Sequence, residues 1–335
     1  MKLPIGKLDS EILKKIIFDN IIYKRPEVTT GAGIGEDCAV LDFGDLECVV
    51  STDPITASIA DIGRLSIHIS CNDIASNGVQ PVAILLTVLL PEGTSEEDIA
   101  IMMKQAAKAA ADCEVQIAGG HTEITRAVNQ PVICSTAFGR APKGGSQSAK
   151  TMQEGDRIYV TKKLALEGTG IIAGEHGDKL LAEGVLTKSE IAEAHAMLDS
   201  VSVVREGVLA GKIGTHGMHD ITEGGVLGAV WEMCNISGCG VLLNESAMPI
   251  SDITKKLAAH YGFNPLRMIS SGSMLILAGQ ENAKDLEKAM QDAGIDITCI
   301  GEITKKGDTP KLRRITGGIE EIVPPTADEI YRVLA

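Results

Sequence analysis

The chain contains the run Ile69-Ser70-Cys71-Asn72-Asp73-Ile74-Ala75-Ser76-Asn77-Gly78 and, after Val79-Gln80-Pro81, the apolar run Val82-Ala83-Ile84-Leu85-Leu86-Thr87-Val88-Leu89-Leu90. The first run completes a helix pattern that begins at Asp61, and Asn77-Gly78 is a typical helix end. The second run has the length and composition of a buried strand. Helix and strand patterns alternate along the rest of the chain, which predicts an α/β or α+β protein.

The polar, turn-rich segment Ala141–Ser148 separates two groups of such elements and is typical of a linker. We therefore predict two domains, residues 1–145 and residues 146–335. In the first half, the patterns predict helices at Ser10–Tyr23, Asp61–Asn77 and Thr94–Cys113, and strands at Cys38–Phe43, Glu47–Ser51, Val82–Leu90, Val115–Ala118 and Pro131–Phe138. In the second half, they predict helices near 167–183, 189–199, 202–211, 224–237 and 281–293, and strands near 156–160, 241–243, 274–278 and 297–300.

The composition argues against several classes of protein. The 335 residues include 31 Lys and Arg against 45 Asp and Glu, a formal charge of −14. This balance gives no net attraction to nucleic-acid phosphates, although it suits a phosphate ligand that arrives with Mg²⁺. No apolar run reaches the roughly 20 residues of a membrane span, and the N-terminus has no secretory pattern. We therefore expect a cytoplasmic protein that binds neither nucleic acid nor membrane.

The eight cysteines stand at positions 38, 48, 71, 113, 134, 234, 239 and 299, and no two of them form a Cys-x-x-Cys pair. Cys234 and Cys239 have no second pair with which to complete a zinc site. We therefore expect buried, reduced thiols in a cytosolic protein.

Acidic residues recur in the first half where strands and glycine turns end. Asp37 follows a glycine loop that ends at Gly35, and Asp53 follows the strand pattern of residues 47–51. Ligands of α/β proteins gather at strand ends, and carboxylates that meet there repel one another unless they share a cation. Mg²⁺ bound to nucleotide phosphates meets this need. The alternative is that Asp and Glu flank glycines because turns favour them.

Asp73 ends a helix stripe that begins in the core. Leu65, Ile69 and Asp73 are four residues apart and therefore share one face of the helix. A buried carboxylate without a partner is costly, which favours a metal ion or a cationic side chain beside it. His68, on the neighbouring row, is better explained as a hydrogen-bonded structural histidine.

In the second half, the run Met218-His219-Asp220-Ile221-Thr222-Glu223-Gly224-Gly225-Val226 leads into a helix pattern. Glycines at a helix start leave backbone N–H groups free to hold an anion, with Asp220 and Thr222 on the approach. The alternative is that Thr222 caps the helix and the glycines allow close packing. The loop Gly31–Gly35 lacks the Lys-Ser/Thr end of a P-loop. No strand pattern precedes the loop, so it does not match a dinucleotide-binding fingerprint either.

Five motifs occur in order along the chain: Gly35-Glu36-Asp37-Cys38-Ala39-Val40, Ser51-Thr52-Asp53, Asn72-Asp73-Ile74-Ala75-Ser76-Asn77-Gly78, Gly119-Gly120-His121-Thr122-Glu123 and Asp220-Ile221-Thr222-Glu223-Gly224-Gly225. Their order resembles that of the aminoimidazole-ribonucleotide (AIR) synthase-related superfamily over nearly the whole chain. This superfamily includes AIR synthase, the hydrogenase-maturation factor HypE, thiamine-monophosphate kinase and selenophosphate synthetase. In overall pattern the chain most resembles HypE-type proteins.

The resemblance implies an N-terminal mixed sheet that pairs with the sheet of a second subunit and closes a β-barrel across a homodimer. A C-terminal α/β domain would pack beside it, with ATP and Mg²⁺ in the cleft near the dimer interface. By motif position, the expected metal carboxylates are Asp37, Asp53 and Asp73. The expected nucleotide and phosphate contacts are Gly35, Thr52, Asn72, Gly119, Gly120, His121, Asp220, Thr222, Gly224 and Gly225.

Two features depart from the HypE pattern. The sequence ends Tyr331-Arg332-Val333-Leu334-Ala335 and its last cysteine is Cys299, so the terminal cysteine that HypE-type proteins use to carry a carbamoyl group is not available as such. His121 stands where HypE and thiamine-monophosphate kinase tend to have Asp, and neutral imidazole is a poorer Mg²⁺ ligand than carboxylate. Either Glu123 replaces that ligand or this part of the site has changed.

The first functional hypothesis is an ATP- and Mg²⁺-dependent, HypE-like enzyme that activates a small molecule or a peptide by phosphoryl transfer or dehydration. The second is a small-molecule enzyme similar to thiamine-monophosphate kinase or AIR synthase. The third is a nucleotide-binding maturation or regulatory partner without turnover of its own. No Ser-His-Asp or Cys-His arrangement with diagnostic local context supports a hydrolytic nucleophile, and no catalytic residue is assigned.

Overall fold

A computed structural model describes residues 10–56, 61–325 and 327–334. The described chain forms two mixed sheets with helices packed on them, which confirms the predicted α/β class. Among these residues, no helix combines the length and the apolar character that a membrane span requires. The elements of the first half are α1 (Ser10–Ile12), β1 (Val28–Thr30), β2 (Ala39–Asp42), β3 (Leu46–Ile55), α2 (Ile62–Ser76), β4 (Pro81–Leu90), α3 (Glu96–Asp112), β5 (Gln116–Ile124) and β6 (Val132–Pro142).

The first sheet has the strand order β1-β2-β3-β6-β4-β5. Strands β4 and β5 run parallel, and the other neighbours run antiparallel. Burial alternates along β6, as expected for a strand with one face on a core, and α2 packs on that inner face. Helix α3 packs on α2 and begins at a capping box, in which Ser95 and Asp98 each bond to the other's backbone N–H.

The second half forms a second mixed sheet. Its elements are β7 (Arg157–Thr161), α4 (Leu166–Ala182), α5 (Lys188–Met197), α6 (Val204–Ile213), β8 (Gly217–Asp220), α7 (Gly225–Ser237), β9 (Cys239–Asn244), α8 (Asp252–Tyr261), β10 (Met274–Ala278), α9 (Ala283–Asp292), β11 (Ile297–Lys306), β12 (Lys311–Arg313), β13 (Ile319–Glu321) and α10 (Glu329–Leu334). The strand order is β13-β12-β9-β11-β7-β10-β8, with β9 and β12 parallel and the other neighbours antiparallel.

Helix α2 joins the two halves. One hydrophobic core continues from α2 and α3 into α6, β8 and β10. A Cβ at Gly207 on α6 would collide with the carbonyl oxygen of Ala75, so glycine is what lets the two helices approach this closely. The Asp220 N–H at the end of β8 donates to Ser76 Oγ over 3.0 Å. These contacts fix β8 against α2, and the domain boundary between residues 145 and 146 stays a prediction.

The prediction of one amphipathic helix over Ser10–Tyr23 is wrong. Helix α1 is followed by a π-helical turn at Leu13–Ile17 and a 3₁₀ turn at Phe18–Asn20. The side chains of Ile16 and Ile17, which such a helix would carry on its apolar face, are 56% and 45% exposed. The α-helix ends after three residues, and a short helix of which Ile16 and Ile17 stay exposed has little packing to keep it regular.

Strands β3 and β5 are longer than predicted. Strand β3 continues to Ile55, so Asp53 lies inside a strand and not after it. Strand β5 includes Gly119 and Gly120, which lie beyond the predicted strand end at Ala118. Their φ angles, 153° and 145°, are rare for other residues, and a Cβ at Gly120 would collide with the backbone of Leu86 on β4. Glycine here allows close strand pairing instead of a turn.

Candidate metal centre

Three possible metal ligands from separate parts of the chain meet where the two halves join. The carboxylates of Asp37 and Asp220 and the imidazole of His219 have ligand atoms that all lie within 4.8 Å of one another. Asp37 follows the glycine loop of the first half, whereas His219 and Asp220 end β8. His219 and Asp220 are buried and Asp37 is half-buried, so their charges interact more strongly than they would in water.

Asp53 and Asp73 extend this group into the first half. Ser51 Oγ donates to Asp73 Oδ2 over 2.5 Å, and the side chains of Asp53 and Asp73 share a hydrogen bond. Burial, together with the neighbouring acids, raises the pKa of Asp73 well above its ordinary value. A carboxyl group in this state holds a proton that a bound cation would displace. We call Asp37, Asp53, Asp73 and Asp220 the acidic cluster.

His219 gives the acidic cluster a positive charge of its own. Its Nε2 lies 3.1 Å from Glu232 Oε2 and 3.5 Å from Asp37 Oδ1, and its Nδ1 lies 2.7 Å from the carbonyl oxygen of Asp220. Burial alone would lower the pKa of His219, but the surrounding acids outweigh burial and raise it to about 10. At neutral pH the ring is therefore charged and donates from both nitrogens.

The acidic cluster suits Mg²⁺ better than a thiophilic metal. Mg²⁺ takes carboxylate oxygens, keeps several waters and shares its shell with phosphate oxygens. A charged His219 has no lone pair for a metal. The nearby Cys38 donates to the carbonyl oxygen of Asp73, and burial together with the neighbouring acids raises its pKa, so it stays a thiol. The donors that remain are carboxylates, which are the ligands of a hard cation.

Gly35 explains how the loop that carries Asp37 reaches α7. Its φ is +78°, and a Cβ there would lie 2.9 Å from Ile236 Cδ1 and 3.1 Å from the carbonyl oxygen of Glu232. A side chain at this position would push the loop away from α7 and separate Asp37 from His219. The structure therefore gives Gly35 a packing role, and its contact with a nucleotide remains a prediction.

Thr52, Gly119 and Gly120 lie on the first sheet but outside the acidic cluster. Thr52 points to the face opposite Asp53, and its Oγ1 lies 3.0 Å from Thr136 Oγ1. The strand register places Asp53 on β3 and Gly120 on β5 in one row across the sheet, with one residue of β6 and one residue of β4 between them. Three strand spacings make this separation roughly 14 Å. Contacts of these residues with a nucleotide remain predictions.

His121 is exposed on the edge strand β5. Its Nε2 lies 3.3 Å from Glu123 Oε2, and both side chains lie largely in solvent. Because β5 is three strands from β3, neither residue joins the acidic cluster of its own chain. His121 and Glu123 therefore lie apart from the acidic cluster of their own chain, and a metal contact of either residue remains a prediction.

Asn72 is fully buried, and its amide group joins two backbone groups of the second half. Its Nδ2 donates to the carbonyl oxygen of Val201 over 2.8 Å, and its Oδ1 accepts the Val203 N–H over 2.8 Å. Both hydrogen bonds link α2 to the segment that precedes α6. The geometry supports a structural role for this side chain, and its predicted contact with a nucleotide remains untested.

The glycine turn at the start of α7 is held by a carboxylate of the chain itself. The Gly224 N–H donates to Asp328 Oδ2 over 2.7 Å, and the Gly225 N–H donates to the carbonyl oxygen of Thr222 over 3.1 Å. A carboxyl group of the C-terminal segment therefore accepts the Gly224 N–H at this helix start. Phosphate contacts of Thr222, Gly224 and Gly225 remain predictions.

Two family profiles match the chain in sequence. The N-terminal domain of AIR synthase related protein matches residues 35–141, and the C-terminal domain of AIR synthase related protein matches residues 153–311. Together the two matches cover more than three quarters of the chain. The chain belongs to the AIR synthase-related family. The superfamily predicted from the five motifs is therefore confirmed.

Curated relatives of this AIR synthase-related protein include hydrogenase-maturation proteins. A protein of Methanocaldococcus jannaschii, provisionally described as a hydrogenase expression/formation protein, is 29% identical over 98% of this chain and 97% of its own length. The carbamoyl dehydratase HypE of Rhodobacter capsulatus is 25% identical over 91% of this chain and 87% of its own length. The predicted likeness to HypE-type members of the family is confirmed by these relatives.

Solved HypE structures share the AIR synthase-related fold seen here. A chain from the crystal structure of a HypE–HypF complex superposes with a TM-score of 0.76 at 19% identity, covering 94% of this chain and 99% of that chain. A HypE structure in complex with ATP superposes with a TM-score of 0.73 at 20% identity, covering 98% of this chain and 97% of that chain. At these identities the likeness is one of fold.

His219 and Glu232 have no role among the residues predicted from the sequence of this AIR synthase-related chain. Glu232 carries the same signal as Asp73, because it is an acid within the otherwise apolar first turns of α7. His219 directly precedes a candidate ligand, Asp220, but β8 is too short to show a strand pattern. The signal for Glu232 was therefore present, whereas the position of His219 required the tertiary structure.

Proposed function

We propose that this protein is an ATP- and Mg²⁺-dependent enzyme of the HypE type that activates a small molecule or a peptide by phosphoryl transfer. The observation that carries the proposal is the meeting of the acidic cluster with His219. Carboxylates this close repel one another, and a divalent cation bridged to phosphate oxygens is a ligand that balances their charge.

The residues of the chain would prepare the site before the nucleotide arrives. Mg²⁺, when bound, neutralises charge on the phosphates during phosphoryl transfer. Asp53 and Asp73 would hold the cation from the sheet and helix of the first half, and Asp37 and Asp220 from the loop and β8. His219, itself held by Glu232, would keep Asp37 oriented in the way that outer partners orient metal ligands.

The relatives support the choice of the HypE type within the family. The R. capsulatus relative is named a carbamoyl dehydratase, and one HypE structure contains ATP. A thiamine-monophosphate kinase structure with a nucleotide analogue and thiamine monophosphate superposes with a TM-score of 0.70 at 17% identity. Sequence identity to the HypE relatives is higher, so a small-molecule kinase or cyclo-ligase is the second candidate.

ATP turnover against a panel of acceptors tests the proposal. Purified protein with Mg·ATP is mixed separately with a peptide that carries S-carbamoyl-cysteine, with thiamine monophosphate and with formylglycinamidine ribonucleotide. We expect release of ADP with the carbamoyl peptide and none with the other two. Turnover with either small molecule would move the assignment to that class. Binding of Mg·ATP without turnover in any mixture would support a nucleotide-binding maturation partner instead.

We also propose that the protein works as a homodimer through the outer face of its first sheet. Helix α2 lies on the inner face, whereas Val82 and Leu85 on β4 are 53% and 38% exposed. Sedimentation should give twice the chain mass of 35.2 kDa, and Leu85→Glu should shift the protein toward the monomer. A monomeric wild-type protein at micromolar concentration would contradict the dimer.

A HypF-like partner is a further proposal, since a HypE–HypF complex has been crystallised.

A further inference from the structure

Ser135 on β6 has a buried hydroxyl group without a hydrogen-bond partner. The residue is 0% exposed, and within residues 10–56, 61–325 and 327–334 no group hydrogen-bonds its Oγ. Its backbone carbonyl oxygen accepts a hydrogen bond of 3.4 Å from Ser70 Oγ on α2. Buried polar side chains without partners are rare in folded proteins, because nothing compensates for the water that they lose. The hydroxyl of Ser135 therefore calls for an explanation other than stability.

Two comparably buried serines on the same side of the first sheet do have partners. Ser51 Oγ donates to Asp73 Oδ2 over 2.5 Å, and Ser66 Oγ donates to the carbonyl oxygen of Gly63 over 3.0 Å. Ser135 differs from these serines in having an unsatisfied hydroxyl, and not in its burial.

The strand register places Ser135 beside Asp53 of the acidic cluster. The two residues are direct partners on β6 and β3. Side chains alternate along a strand, so Asp53 shares the inner face with Ser51 and Ser135. On the outer face, Thr52 and Thr136 show that side chains in this register meet, because their Oγ1 atoms lie 3.0 Å apart. Directly opposed residues have Cβ atoms about 4.5–5.5 Å apart, so a change of rotamer is enough to bring the hydroxyl to the Asp53 carboxylate.

We infer that Ser135 is a positioning residue of the metal centre, whose hydroxyl donates to the Asp53 carboxylate when a divalent cation is bound. This inference rests on the proposed function for the metal role of Asp53. A carboxylate offers about four lone pairs, so Asp53 can accept the hydroxyl while another lone pair holds the cation. Outer partners of this kind orient a metal ligand, and their loss costs roughly 10–100-fold in metal affinity.

The variant Ser135→Ala separates this role from a packing role. Removing a hydroxyl that has no partner should leave the melting temperature of the metal-free protein unchanged or raise it. The same change should weaken binding of Mg·ATP about tenfold in titration calorimetry, and binding of Mn²⁺ with ATP by a similar factor in electron paramagnetic resonance. A melting temperature lowered by more than about 3 °C would overturn the inference, because the hydroxyl would then stabilise the metal-free fold.

Ser66→Ala is the matched control. Ser66 is also fully buried, but its hydroxyl is bonded to the carbonyl oxygen of Gly63. This variant should have a lower melting temperature than the wild type and the same affinity for Mg·ATP. The two variants therefore give opposite results if Ser135 serves the metal centre, and similar results if both serines serve packing.

A double variant tests whether Ser135 acts through Asp53. In the Asp53→Asn protein, the further change Ser135→Ala should lower the affinity for Mg·ATP by less than about twofold, because no ligating carboxylate remains to be oriented. A full additional tenfold loss would show that Ser135 acts elsewhere and would refute its positioning role. Wild-type affinity of the single variant Ser135→Ala would also refute that role while the proposed function stands, whereas a wild-type protein that does not bind Mg·ATP would contradict both.

Discussion

Replacing Asp53 by asparagine should weaken binding of Mg·ATP by roughly a hundredfold or more while the chain stays folded. The reason is electrostatic, since one carboxylate about 4 Å from a unit charge is worth about 4 kcal/mol at an effective dielectric of 20. Asparagine keeps the size of the side chain and a polar atom for Asp73, so packing is preserved. Titration calorimetry with Mg·ATP measures the loss of affinity, and thermal unfolding checks the fold.

Asp45→Asn is the matched control for this variant. Asp45 is an exposed acid in the turn between β2 and β3, so its replacement removes the same charge from the same half of the chain. The control should bind Mg·ATP as the wild type does. Equal affinities of Asp53→Asn and wild-type protein would remove Asp53 from the metal centre.

Replacing Asn72 by alanine should destabilise the protein by about 3 kcal/mol. The change leaves the carbonyl oxygen of Val201 and the N–H of Val203 without their partner in a buried place, and each unsatisfied group costs about 1–3 kcal/mol. Urea unfolding followed by circular dichroism measures the difference. Asn77→Ala is the control, because Asn77 is half-buried and makes one long bond to Asp73, so its loss should cost less than about 1 kcal/mol.

The two possible roles of Asn72 give different results. If Asn72 is a structural link between α2 and the second half, stability falls, and Mg·ATP affinity measured on the remaining folded protein changes little. If Asn72 mainly contacts the nucleotide, as the family resemblance implies, affinity falls while the free energy of unfolding is nearly unchanged. The buried geometry predicts the first result.

Several parts of the site could be predicted because single residues carried their own signal. Asp73 interrupts an apolar helix stripe, and Asp37 follows a glycine loop, so neither needed tertiary information to stand out. The structure then brings these acids together with Asp53 and Asp220. The family resemblance predicted metal roles for Asp37, Asp53 and Asp73, and the measurements above test those roles.

Other parts depended on contacts between distant segments and could not be predicted locally. Gly119 and Gly120 suggest a turn by composition, but pairing with β4 draws them into a strand, because tertiary context overrides local preference. His219 acquires its charge mainly from Asp37 and Glu232, which reach it from a loop of the first half and from α7. The short strands β1, β8, β12 and β13 and the helices α8 and α10 were not predicted, and β1 directly precedes the glycine loop Gly31–Gly35, where no strand was expected.

The most direct measurement is a crystal structure of the protein with Mn²⁺ and a non-hydrolysable ATP analogue, with the ion located by its anomalous scattering. We expect an ion bound by carboxylates of the acidic cluster and bridged to the phosphates. An ion and triphosphate held elsewhere, for example along the edge of β5 near His121, with the acidic cluster free of metal, would contradict this expectation.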